Sequence, residues 1–222
     1  MKDKKILIVA AHPDDEVLGC GGTISKLRDK NTIKVIFMTN GTSSRRGGKK
    51  EAYKRNKACL NLFNSLSLPK PINFNFPDNK MDTVPLLKIV KKIEEKIEKF
   101  KPDVILTHYE SCLNIDHRIT FNAVITACRP LKNSSVKKIL SFEIPSSTDW
   151  ALFKGKSFQP NYFIDITKHL NNKINMIKFY KDELKQYPHS RSIKALKSLA
   201  SFRGISCGVK FAEGFYLNRF VD

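Results

Sequence analysis

An uninterrupted apolar run, KILIVA at Lys5 to Ala10, passes directly into Ala11-His12-Pro13-Asp14-Asp15-Glu16. The run does not alternate apolar with polar residues. It is short and rich in β-branched side chains, which suits a strand buried on both faces of a parallel sheet. Such a strand delivers the residues after it to the edge of the sheet. Here one imidazole and three carboxylates arrive at a single point. Like charges crowded together raise one another's pKa values, and a bound cation relieves that cost. The stretch therefore reads as half of a metal-hydrolase site, whose other half must come from a distant part of the chain.

The remaining pattern supplies a scaffold for that convergence. Gly19, Gly21 and Gly22 cluster in the segment after the motif, where glycine permits tight turning and close backbone approach. Thr23, Ile24 and Leu27 continue it as a short helix to a break at Asp29 to Asn31. Ile33 to Thr39 reads as a second buried strand, followed by a polar, glycine-rich loop from Asn40 to Gly48. Lys50 to Phe63 is expected to be helical, and Ile72 to Phe76 a third strand. Asp82 to Phe100 gives the clearest helical period, with Leu87, Val90, Ile93 and Ile97 on one stripe and Asp82 or Thr83 as the cap. Val104 to His108 is a strand, His117 to Cys128 a helix and Val136 to Ile144 a strand. Tyr162 to Ile166 follows as a strand, then helices over Leu170 to Leu184 and Ser190 to Phe202. A last strand is expected at Gly214 to Asn218. Strand alternating with helix means an α/β fold with a mainly parallel sheet.

Composition narrows the class. The 222 residues suffice for one sizeable core. Forty Lys and Arg against 21 acidic residues give a formal net charge of +19, which attracts anions. Nucleic acid is not the expected partner, because no RRM, KH, helix-turn-helix or finger signature accompanies the charge. Five scattered cysteines (Cys20, Cys59, Cys112, Cys128 and Cys207) lack metal-finger or disulfide spacing and read as small buried hydrophobes, none with a marked base partner. That usage suits a reducing, cytoplasmic setting. No signal peptide and no 18-residue apolar span is present, so no integral membrane segment is expected. GxGxxG and P-loop patterns are absent, which argues against dinucleotide or P-loop chemistry.

His12 and Asp15 both suit zinc, and a catalytic zinc takes three protein ligands and one open position. His117, in LNIDHR, is the best third ligand: it begins a helix after the Val104 to His108 strand, on the same sheet edge. Iron, cobalt or manganese (Fe2+, Co2+ or Mn2+) suits the same His-Asp-His set.

The AHPDDE run, the Asp116-His117 pair, TNG at Thr39 to Gly41, FPDN at Phe76 to Asn79 and SFEIPSST at Ser141 to Thr148 together resemble the PIG-L/LmbE-like family of zinc-dependent N-acetylglucosaminyl deacetylases. The resemblance covers essentially the whole chain, residues 1–222. It implies a single-domain, Rossmann-like three-layer fold of the LmbE-like type. It also implies a metal-dependent hydrolase that removes an N-acetyl group from a GlcNAc-type conjugate in polysaccharide or glycoconjugate synthesis. By the resemblance, His12, Asp15 and His117 bind the metal and Asp14 is the general base, while Asp116 orients a ligand. The family's usual second motif begins with histidine where this chain has Asn114. Asparagine can donate to an oxyanion but cannot release a proton as imidazolium does. His189, or Asp14 once protonated, is then the candidate acid. For substrate, Arg45, Arg46, Arg118 and Arg191 are candidate anion contacts, Asp78 a candidate for sugar hydroxyls and Trp150 a stacking ring. A small anionic or conjugated amino sugar is the expected partner, and self-association is compatible with the pattern. Another N-acyl substrate, such as a thiol-cofactor precursor or an N-formyl sugar, fits the same residues.

Overall fold

A computed structural model describes all residues except 43, 45–47, 133 and 152–156. Arg45 and Arg46, expected to meet the substrate, lie outside the described residues. The strands are β1 (Lys5–Ala10), β2 (Thr32–Phe37), β3 (Ile72–Asn73), β4 (Val104–His108), β5 (Lys138–Phe142), β6 (Tyr162–Asp165) and β7 (Ala212–Phe220). The helices are α1 (Asp15–Leu27), α2 (Gly48–Ser65), α3 (Leu86–Phe100), α4 (Ile115–Ala127), α5 (Leu170–Ile177) and α6 (Ile193–Ile205). The strands form one sheet in the order β3-β2-β1-β4-β5-β7-β6. Pairings from β3 through β5 are parallel; β7 runs antiparallel to both β5 and β6.

β1 lies inside the sheet, between β2 and β4, which explains its unbroken apolar run. Ile6, Ile8 and Ala10 pack in the layer that holds Leu62 and Phe63 of α2 and Ile174 of α5. Leu7 and Val9 face the opposite layer, with Ile89, Val90 and Ile93 of α3 and Val124 of α4. Helices on both faces leave no solvent side for polar residues to occupy. The chain goes outward from β1 to β2 and β3, then returns to β4 on the other side. The crevice at the carboxyl ends of β1 and β4 is therefore the switch point where open α/β sheets place ligands.

The glycine cluster has a packing reason. A Cβ on Gly19 would lie 2.4 Å from the Phe142 ring, and one on Gly22 2.7 Å from Ile166. α1 is also kinked at Cys20 (φ −145°, ψ 26°). The carboxylate of Glu213 accepts from the N–H groups of Gly22 and Thr23 at 2.9 and 2.7 Å, and Lys173 Nζ donates to Leu18 O at 2.8 Å and to Glu213 at 2.6 Å. A buried ion pair thus satisfies backbone groups that the kink would otherwise orphan.

Several boundaries differ from the sequence reading. α3 starts at Leu86, with Pro85 at its N-cap position, so Asp82 and Thr83 sit in a short 3-10 turn and do not cap it. Leu87 is 62% exposed, and the buried stripe is Ile89, Val90, Ile93 and Phe100. β3 has only two residues. α5 ends at Ile177, seven residues short of Leu184, and a 3-10 turn covers Lys181–Glu183. There the side chains of Tyr180 and Glu183 turn inward to polar partners, and that pull overrides the helical period. Cys207 is exposed, while the other four cysteines are buried.

Candidate active site

β1 ends at Ala10, and the next residues turn into α1 over the carboxyl edge of the sheet. The backbone N–H of His12 donates to Asp15 Oδ2 at 2.9 Å, which folds the motif back on itself. His12 Nδ1 lies 3.1 Å from the same oxygen and 3.2 Å from Nε2 of His117. His117 Nε2 is 3.3 Å from Asp15 Oδ2. Residues from the end of β1 and the start of α4 therefore bring three donor atoms into mutual contact, in buried surroundings.

The other ring nitrogen of His12 faces the opposite way. Its Nε2 lies 3.1 Å from Asp116 Oδ2 and 3.5 Å from Asp78 Oδ1. Asp116 also accepts the N–H groups of Asn79 at 2.7 Å and Met81 at 3.1 Å. Asp78 accepts from Ser44 N at 3.0 Å, Ser44 Oγ at 2.6 Å and Thr39 Oγ1 at 3.4 Å. A carboxylate on Nε2 keeps the proton there and frees the Nδ1 lone pair.

Among the described residues, two groups have cation-binding composition: His12, Asp15 and His117, and His12, Asp78 and Asp116. The second is already saturated by hydrogen bonds. In the first, Asp15 Oδ1 is buried with no hydrogen-bond partner among the described residues. A buried, orphaned carboxylate oxygen beside two imidazole nitrogens fits a divalent cation and is costly without one. The electrostatics agree. Burial alone would push the pKa of His117 down, but the charges of Asp15 and Cys112 raise it to about 10. Burial would raise Asp15, yet His117 and His108 hold it well below the usual carboxylate range. The centre favours added positive charge.

His108 is packing beneath this centre. Its Nε2 accepts from Ala11 N at 2.8 Å, its ring stacks on His117 at 3.9 Å, and burial holds its pKa well below the usual histidine value. Cys112 does have a base partner, contrary to the sequence reading. Its Sγ lies 3.1 Å from His117 Nδ1 and 3.0 Å from Ser147 Oγ. Burial raises its pKa, but His117 and these hydrogen bonds bring it down to about 7.

A cavity of ≈ 180 Å³ opens over the centre, with His12, Asp14, Arg55, Asn114, His117 and Arg191 among its walls. Asp14 Oδ2 is 3.1 Å from Arg191 Nη1, and Asp14 Oδ1 is 3.7 Å from Arg55 Nη1. Glu183 faces both guanidiniums, at 3.1 Å from Arg191 and in direct contact with Arg55. Arg55, Glu183 and Tyr180 were invisible to motif reading, because they lie in helix α2 and in a turn with no neighbouring signature.

Asn114 lines the cavity but also caps α4: its Oδ1 accepts from Asp116 N at 2.8 Å, and its Nδ2 donates to Asn79 at 3.1 Å. His189 is not a wall of the cavity. Its Nδ1 accepts from Arg191 N at 3.0 Å, and its ring stands edge-on to Trp150, which is 47% exposed. Arg118 donates to the carbonyls of Cys112 at 2.7 Å and Leu113 at 2.5 Å, so it holds the loop before α4. Asp78 is buried, its oxygens meet Ser44, Thr39 and His12, and it does not line the cavity over the centre. Arg191 is the one described arginine of the expected four that reaches the cavity, and it is paired there.

The same arrangement of elements occurs in known proteins. The family described as PIG-L, GlcNAc-PI de-N-acetylase, matches residues 7–128. An uncharacterised deacetylase of Escherichia coli K12, YaiS, is 30% identical over 164 residues, 71% of this chain and 82% of that protein. The diacetylchitobiose deacetylase of Thermococcus kodakarensis is 28% identical over 98% of this chain and 83% of its own. Among solved structures, the N,N'-diacetylchitobiose deacetylase of Pyrococcus horikoshii, complexed with an inhibitor, superposes with a TM-score of 0.76. The two share 25% identity over 97% of this chain and 84% of that one.

Proposed function

This chain belongs to the PIG-L family of N-acetylglucosaminyl deacetylases, and from that premise we propose that it removes the acetyl group from a GlcNAc-type conjugate by metal-assisted amide hydrolysis. The observation that carries this reading is the meeting of His12 Nδ1, Asp15 Oδ2 and His117 Nε2 under a cavity walled by Asp14.

His12, Asp15 and His117 would hold the cation, with zinc the first choice and iron, cobalt or manganese chemically acceptable. Zn2+ bound there would polarise the amide carbonyl and make a water more acidic. Asp14 accepts a proton from the attacking water as the C–O bond forms, then returns it to the nitrogen as the C–N bond breaks. The products are acetic acid, which ionises to acetate, and an amine that takes up that proton, and Asp14 ends as it began. Asp14 is preferred over His189 as the proton donor because it lines the cavity and His189 does not. Arg191 holds the Asp14 carboxylate in place. Asn114, anchored by its cap, offers its amide at the wall to the oxygen that gains charge.

Asp14 and Glu183 balance the charges of Arg55 and Arg191, the two arginines among the cavity's walls. An anionic aglycone, which the net charge of +19 favours, would then be drawn by the long-range field and not by an unpaired guanidinium at the centre. A role in making a polysaccharide or glycoconjugate is consistent with that substrate class.

The test is acetate release by zinc-loaded protein from a panel of diacetylchitobiose, GlcNAc phosphate and nucleotide-linked GlcNAc, with N-formyl analogues beside them. Acetate from at least one acetylated sugar is expected. Release of formate alone would move the assignment to another acyl group, and no release from any member would overturn it.

A further inference from the structure

Asp14 is held in an unusual backbone conformation, φ 129° and ψ −30°, at the start of α1. An L-residue there is strained and persists only where its surroundings impose it. The surroundings that do so are identifiable. The N–H of Asp14 points into the protein and donates to Glu16 Oε2 at 2.9 Å. Tyr180 Oη donates to Glu16 Oε1 at 2.7 Å, which fixes the carboxylate from its far side. Glu16 and Tyr180 are 1% and 3% exposed, so water offers neither an alternative partner.

The arrangement resembles half of a capping box, with the glutamate at the second helical position and not the usual third. In the complete form, a glutamate in the first turn takes the N–H of the cap residue, and the cap side chain takes an N–H of the helix. Here Glu16 performs the first part, and Asp14 makes no side-chain cap. The Asp14 carboxylate is thereby left to the cavity, where Arg191 meets it. Tyr180 belongs to the turn that also carries Glu183, the partner of Arg191 and Arg55. One turn therefore controls the backbone of Asp14 through Tyr180 and Glu16, and its side chain through Glu183 and the arginines.

We propose that Glu16 and Tyr180 are positioning residues for the general base: together they hold the strained Asp14 backbone so that its carboxylate faces the reacting amide and not the helix end. Neither is among the walls of the cavity or the converging donor atoms. The proposal rests on Asp14 acting as the base, and the experiment separates the two ideas. Zinc-loaded Tyr180→Phe, Glu16→Gln, Glu16→Ala and Asp14→Asn are compared for kcat, KM, zinc content and melting temperature. Tyr180→Phe and Glu16→Ala should lower kcat by about 10- to 100-fold at little changed KM and full zinc content, the scale expected for a misplaced catalytic group. Glu16→Gln, which retains an acceptor for Asp14 N and a partner for Tyr180, should recover most of kcat. If Asp14→Asn is inactive while Tyr180→Phe and Glu16→Ala keep kcat, the positioning role is overturned and the base survives. If zinc content and melting temperature fall in step with kcat, the pair supports the fold instead, and the proposal also fails. An active Asp14→Asn would remove the base itself.

Discussion

His12 Nε2 lies 3.1 Å from Asp116 Oδ2, and this contact turns the Nδ1 face of the ring toward Asp15 and His117. The residue before one candidate ligand thereby orients another, 104 positions away in the chain. Asp116→Asn weakens the acceptor while keeping its shape. Zinc affinity, measured by competition with a chromophoric chelator, should fall by about 10- to 100-fold. Unchanged affinity would remove Asp116 from this role.

Asp14 walls the cavity but is not among the converging donor atoms. Asp14→Asn should keep one zinc per chain by elemental analysis and lose acetate release by about 100-fold or more. Zinc loss in this variant would instead make Asp14 part of the metal centre.

Gly22 sits where α1 presses on Ile166, and an added Cβ would lie 2.7 Å from that fully buried side chain. Ile166 is further anchored by its N–H to Phe211 O at 2.9 Å. Gly22→Ala should destabilise by about 1–3 kcal/mol through overpacking. A urea midpoint equal to that of the parent protein would show that α1 moves aside without cost.

Burial pushes the thiols of Cys59 and Cys128 up to about 12, and that of Cys20 well above the usual cysteine value. Cys112 is shielded under His117 and Ser147. A disulfide reagent on native protein should therefore titrate one thiol, Cys207, and all five after unfolding. Mass mapping of a second rapidly modified site at Cys112 would show that the loop before α4 opens.

The parallel sheet, its two covering layers and the placement of AHPDDE at a strand end were legible because each depends on neighbours in sequence. The run Ile6 to Ala10 is apolar on both faces, so only a central strand accommodates it. Helix ends were less legible. The period of Leu170 to Leu184 runs past the true end of α5 at Ile177, because it registers apolar spacing and not the polar partners that draw Tyr180 and Glu183 inward. The contacts of Asp78 were not legible either: its partners Ser44, Thr39 and His12 lie 34 or more residues away and meet it only in the fold.

The sequence by itself determined which donor types stand at the sheet edge, since an imidazole and carboxylates joined to a buried strand have nowhere else to go. The tertiary structure alone decided which nitrogen of His12 faces inward, and that Arg191 meets Asp14 across 177 residues. It also decided that Tyr180, from the stretch between α5 and α6, meets Glu16 beside Asp14. Local periodicity encodes burial, whereas contacts between distant side chains exist only once the helices have packed and fixed their directions.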